Sequence, residues 1–236
     1  MLCVIENPLI KTTPVVPPPT VAQLQNRVVH HNDDGAPTSG GGGSSSTGYR
    51  SPASASTGFL AGDVAWTNTG FIVSSNNMYA NASLAPSQTT QGLYAYNFGF
   101  SVPAGATING IEATIEKTGP ATVNDGTVML TTDGVTTTGS NKAQGAWPGS
   151  EAVVAYGAAN DLWGTSMLNV SMVNASAFGL VISAINTSSG AGAAINIDHT
   201  QIGITYTPAG GGSIYEAFGD LAKSLAKTVI RWFGIP

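Results

Sequence analysis

From Tyr94 onward the chain sets large apolar side chains at every second position. Tyr94, Tyr96, Phe98, Phe100 and Val102 alternate with Ala95, Asn97, Gly99 and Ser101. A two-residue period is that of an extended strand with one buried face, and no helix can hold it. After the turn Pro103-Ala104-Gly105 the pattern resumes: Ile111, Ala113 and Ile115 alternate with Glu112, Thr114 and Glu116, which predicts an exposed face bearing both carboxylates. Asn124-Asp125-Gly126 and Asp133-Gly134 read as tight turns flanking a strand over 127–132. Further strands are expected over 153–156, 167–173, 178–185 and 194–207. In the last, Ile195 and Ile197 are odd while Ile202, Ile204 and Tyr206 are even, so a bulge or kink is required within 198–201.

Eight to ten short strands without a convincing helix predict an all-β domain over 57–208. Its expected form is two antiparallel sheets face to face, a jelly-roll-like β-sandwich, with Trp66, Trp147 and Trp163 as core or rim plugs. Composition agrees. Only 9% of the residues are charged, and 30 Gly and 13 Pro favour turns over long helices.

The flanks read differently. Residues 1–56 carry Pro17-Pro18-Pro19 and a Gly/Ser run from Gly40 to Ser46, the composition of an extended, tethering arm. Ordering such an arm costs about 1 kcal/mol per residue. Compensation at roughly 25 cal/mol per Å² needs on the order of 2,000 Å² of apolar burial, so a resting place must come from a neighbouring surface. Leu2, Val4, Ile5, Leu9, Ile10, Val15 and Val16 are the expected anchors.

Residues 209–236 open on glycines and then on Ser213-Ile214-Tyr215-Glu216, which has capping-box spacing. Ile214, Phe218, Leu221, Leu225, Val229 and Trp232 form one apolar stripe of an expected helix, opposite Glu216, Asp220, Lys223, Lys227 and Arg231. Such a stripe demands a cover, which could be the sandwich itself, symmetry-related copies, another component of an assembly or a bilayer surface.

Several functions are disfavoured. A net charge of −5 offers no footprint for a polyphosphate, so specific nucleic-acid binding is not expected. One Cys excludes an intrachain disulfide framework, and one Cys with three His leaves too few ligands for a structural zinc cluster. The first ten residues lack a positively charged leader, so a secretory route is not expected. No stretch approaches the ~18 apolar residues of a spanning helix, and membrane contact is not expected.

Catalytic chemistry is equally hard to place. His199 beside Asp198 reads as a strand histidine with a local hydrogen bond. His30-His31 with Asp33-Asp34 lack a third spaced ligand, and Glu112 and Glu116 lie ~13 Å apart along a strand. The acidic turns lack EF-hand spacing. No enzyme activity, catalytic residue, cofactor or metal is expected. A sugar-stacking platform from Tyr94, Tyr96, Trp147 and Trp163 is conceivable, but the alternation assigns these rings to the core.

Three segments carry a resemblance: FGFSVPAGATINGI at 98–111, AYGAANDLWG at 155–164 and IDHTQIGITY at 197–206. They resemble β-sandwich modules of tailed-bacteriophage virion proteins, of the head-decoration, head-fibre and tail-fibre kinds. The resemblance implies a virion location, and a capsid decoration or cement protein docked on the major capsid protein or other virion components through its arm and helix. It also implies a homotrimer. The alternative implied is a fibre module recognising host surface glycans.

Overall fold

The computed structural model describes residues 43–166 and 168–209. Among the described residues ten strands form two five-stranded sheets, and every pairing between named strands is antiparallel. In chain order they are β1 (Ser45–Arg50), β2 (Ser54–Ser56), β3 (Ala80–Leu84), β4 (Leu93–Tyr96), β5 (Thr107–Thr118), β6 (Val123–Thr131), β7 (Thr137–Thr138), β8 (Ala152–Ala158), β9 (Gly179–Asn186) and β10 (Ala193–Thr207). The first sheet runs β1-β10-β5-β8, with β3 also on β10; the second runs β2-β4-β9-β6-β7. Buried residues of both sheets belong to one core, including Ile111, Ala113, Ile115, Ile202 and Ile204 from the first and Leu93, Val128, Leu130, Leu180 and Ile182 from the second. Two antiparallel sheets sharing a core are compatible with a β-sandwich.

The expected alternation holds through β5, where positions 111, 113 and 115 are fully buried. The slip foreseen in β10 is present: its register against β5 shifts between Ile197 and His199. Asp198 is the extra residue, so Ile197 and Thr200 both face inward although three positions apart.

Four expectations need correction. Asn124-Asp125-Gly126 is not a turn but part of β6, bulged between Asp125 and Thr127 so that Asp125 and Val128 both stay buried. The strand over 167–173 is replaced by one helical turn, α1 (Val170–Val173), whose cap Asn169 accepts a hydrogen bond from the Met172 N–H at 3.1 Å; the local side-chain acceptor outcompetes a ladder. The strand begun at Tyr94 ends at Tyr96. Asn97 (φ 61°) and Gly99 (φ 65°) adopt the left-handed conformation there.

The fourth correction is the boundary at residue 56. β1 pairs with β10 and β2 with β4, so residues 45–56 are part of the sheets despite their Ser/Gly-rich composition. Leu2, Val4, Ile5, Leu9, Ile10, Val15 and Val16, and the stripe Ile214, Phe218, Leu221, Leu225, Val229 and Trp232, lie outside the described residues.

Candidate functional site

The reversal at Asn97 and Gly99 divides the aromatic run between two faces. Phe98, Phe100 and Val102 enter the core, whereas Tyr94 and Tyr96 lie on the opposite face of β4 from the core residues Leu93 and Ala95. There they stack on one another with centroids 4.5 Å apart and 20° between planes, and Phe59 lies against Tyr94 at 5.1 Å. The assignment to the core is thus corrected for Tyr96, which is half-buried, while Tyr94 is buried as expected, 8% exposed. Trp147 and Trp163 are in the core, 2% and 0% exposed, and take no part in a platform with them.

Around the rings lies an open groove of about 660 Å³, walled by residues 56–59 and by Asn97, Asp133, Gly134, Ser176 and Ala177. Each wall has a local cause. Tyr94 donates its hydroxyl proton to the Ala177 carbonyl at 2.5 Å, which fixes the ring edge. Burial, then the neighbouring Tyr96 and Asp133, pushes its pKa up to about 12, so the phenol stays a donor. Asp133 accepts from the N–H groups of Val135 and Thr136, both at 2.8 Å, and from the Thr136 hydroxyl at 2.8 Å. Those bonds hold its carboxyl well below the usual range, and the groove carries a fixed negative charge at its lip. The positive φ of Gly134 (70°) makes the turn that brings this loop beside Tyr94.

The groove joins stacked ring faces to exposed amide, hydroxyl and carboxylate groups. It suits a flat-faced polar ligand that lays C–H groups on aromatic rings while its hydroxyls meet the rim. Sequence periodicity hid it, because the alternation of large and small residues is the same on either face of a strand.

A second cluster lies where β10 bulges. Carboxylate oxygens of Glu116, Glu151 and Asp198 lie within 4.8 Å of one another. Asp198 is 1% exposed and accepts from the backbone N–H groups of Asn76 (3.1 Å) and Asn77 (3.2 Å). Tyr79 meets Glu151, and this hydrogen bond, followed by burial and the acidic neighbours, pushes its pKa up to about 12. His199 pairs across the strands with Glu116 and shares a 2.8 Å hydrogen bond with the Ser51 hydroxyl. Burial lowers its pKa against the opposing pull of Glu116 and Asp198. An all-oxygen donor set of this kind could hold a hard divalent cation. The cluster went unforeseen because its acids come from β5, the approach to β8 and a bulge, with no common spacing.

Other candidates dissolve as sites. Asp125 is committed to a buried network in β6 and Asp133 to its own turn, so the two acidic segments share no ligand. Glu112 and Glu116 lie on the same outer face of β5. His30, His31, Asp33 and Asp34 lie outside the described residues.

No family model matches the chain, and no curated protein matches it. Among solved structures, a chain described as "CBM4 structure and function" aligns over 66% of this chain and 93% of its own, at 9% identity and a TM-score of 0.34. A likeness at that level carries no argument about fold or activity.

Proposed function

We propose that this chain is a non-enzymatic surface protein of a tailed-phage virion, a capsid decoration protein whose jelly-roll sandwich also recognises host surface glycans. The glycan reading rests on one observation, the open groove in which Phe59, Tyr94 and Tyr96 stack beside the Asp133 rim. Aromatic faces bordered by fixed polar groups are how a protein grips a sugar ring without enclosing it. The strand order supports the jelly-roll reading: once β1 and β2 are set aside, β3 to β10 sort as 3-10-5-8 and 4-9-6-7.

Saturable binding of the full chain to polysaccharide from the bacterial surface, lost in Tyr96→Ala with the fold intact, is the expected result. Equal binding by Tyr96→Ala would reject the groove as the site.

Docking on the major capsid protein or another shell component is assigned to the two flanks, on the strength of their apolar patterns. Removal of residues 1–41 should release the protein from particles while leaving both sheets folded, since β1 starts only at Ser45. Retention on particles would refute docking through the arm. Light scattering of the purified chain tests the homotrimer.

A further inference from the structure

Between the two sheets, Lys117 of β5 and Asp125 of β6 meet as a sealed pair. The side chains are 2% and 0% exposed, and Lys117 Nζ lies 2.6 Å from Asp125 Oδ1. Tyr156 of β8 touches both: its hydroxyl accepts from Lys117 Nζ at 2.6 Å and donates to Asp125 Oδ2 at 2.9 Å. Trp147 donates its indole N–H to Asp125 Oδ1 at 2.8 Å, and the Gln144 N–H reaches Oδ2 at 3.0 Å. The Lys117 ammonium lies 4.6 Å from the Trp147 ring centre and 5.3 Å from that of Tyr156.

An amine and a carboxyl group held this way are the two halves of an amide. We infer that Lys117 and Asp125 are the site of an intramolecular isopeptide bond, which would tie the two sheets together covalently.

The chemistry needs no co-reactant. A proton relayed through the Tyr156 hydroxyl, taken from the ammonium at 2.6 Å and handed to Asp125 Oδ2 at 2.9 Å, converts the ion pair into an amine and an acid protonated on Oδ2. Desolvation favours that neutral form, since two charges in a dry core lose their hydration. The same burial lowers the Lys117 pKa, against the opposing pull of Asp125. The nitrogen lone pair then adds to Asp125 Cγ. Charge developing on Oδ1 meets the Trp147 N–H, a donor already in place.

Tyr156 completes the proton transfer by giving its hydroxyl proton to the departing Oδ2 and taking one from the nitrogen. Burial and the Asp125 charge raise its pKa, so it relays a proton without resting as a phenolate. The Cγ–Oδ2 bond breaks, the C–N bond forms, and one water leaves: amine plus acid gives amide plus water. That water inherits the Tyr156 and Gln144 groups as partners.

Mass spectrometry of the full-length chain decides the matter. The expected mass falls one water short of the sequence, and trypsin, blocked after Lys117, leaves residues 51–142 as one looped peptide; elastase cutting after Ala121 or Val123 opens the loop into a branched peptide joining Lys117 to Asp125. Asp125-Gly126 also invites a succinimide, which costs one water too. Hydroxylamine opens a succinimide but leaves the isopeptide untouched, and Lys117→Arg abolishes only the isopeptide. A deficit that resists hydroxylamine and disappears in Lys117→Arg supports the bond. The full sequence mass in every molecule, or a deficit that hydroxylamine removes and Lys117→Arg keeps, overturns it. The branched wild-type peptide gives the answer even if the variant folds poorly.

Discussion

Trp147 and Tyr156 stand between the sheets against Lys117 and Asp125, whereas Phe59, Tyr94 and Tyr96 stand outside the second sheet around an open groove. Both regions combine aromatic rings with an acid. In the first, each polar atom of Asp125 is matched by a protein donor, because water cannot reach it. In the second, Asp133 is satisfied by its own turn and the rims face solvent. Similar side chains therefore serve architecture in one place and offer a contact surface in the other. The difference lies in which face of a strand they occupy.

The sharpest way to break this contrast is to unbalance the sealed cluster. Asp125→Ala strands a buried lysine, and a loss of roughly 3–5 kcal/mol is expected in chemical denaturation. Replacing both partners, Lys117→Met with Asp125→Leu, removes the stranded charge but leaves the Trp147, Tyr156 and Gln144 donors without Asp125, so it should recover only part of the loss. An equally large loss in the double variant would show that the pair itself, and not its imbalance, sustains the core.

Next come matched edits of a single polar group. Trp147→Phe removes the indole donor from Asp125 and should cost about 1–3 kcal/mol. Tyr96→Phe at the groove should change stability by less than about 0.5 kcal/mol. Comparable losses in the two variants would erase the distinction between sealed and open clusters. On ligand binding the order inverts: Tyr96→Ala should weaken polysaccharide binding by at least tenfold, about 1.4 kcal/mol, while Trp147→Phe leaves it unchanged in titration.

The smallest effect concerns pH at the bulge. His199 is harder to protonate in the fold than its ordinary value of 6.5. Its contribution to stability is therefore complete above that value and declines as the pH falls below 6.5 toward the lower folded value. Denaturation midpoints should drop more in wild type than in His199→Gln between pH 7 and 5. Parallel curves would remove His199 from the account.

Much of the β architecture was legible in the sequence. The strict alternation of β5 and the parity slip in β10 are direct images of burial, and the bulge at Asp198 keeps Ile197 and Ile202 on one side. β1 and β2 were not legible, because Ser and Gly carry almost no periodic signal and it is pairing with β10 and β4 that makes them strands. The sequence Asn-Asp-Gly suggests a turn by local preference, yet pairing with β9 makes it a bulge. The groove was misassigned for a related reason: periodicity reports which residues share a face, not whether that face is covered. The acid cluster and the Lys117–Asp125 pair required knowledge of which strands meet.

Ser45 lies directly across from Tyr206, so the polypeptide joins and leaves the sheets at one corner. Tension drawing those two strands apart would unzip the β1–β10 ladder rung by rung, the direction in which a sheet yields most readily. Tension applied to both together, against the turns at the far end, would instead load many rungs at once along the strands. Mechanical resistance in this protein thus depends on whether its two ends are pulled from one another or held side by side.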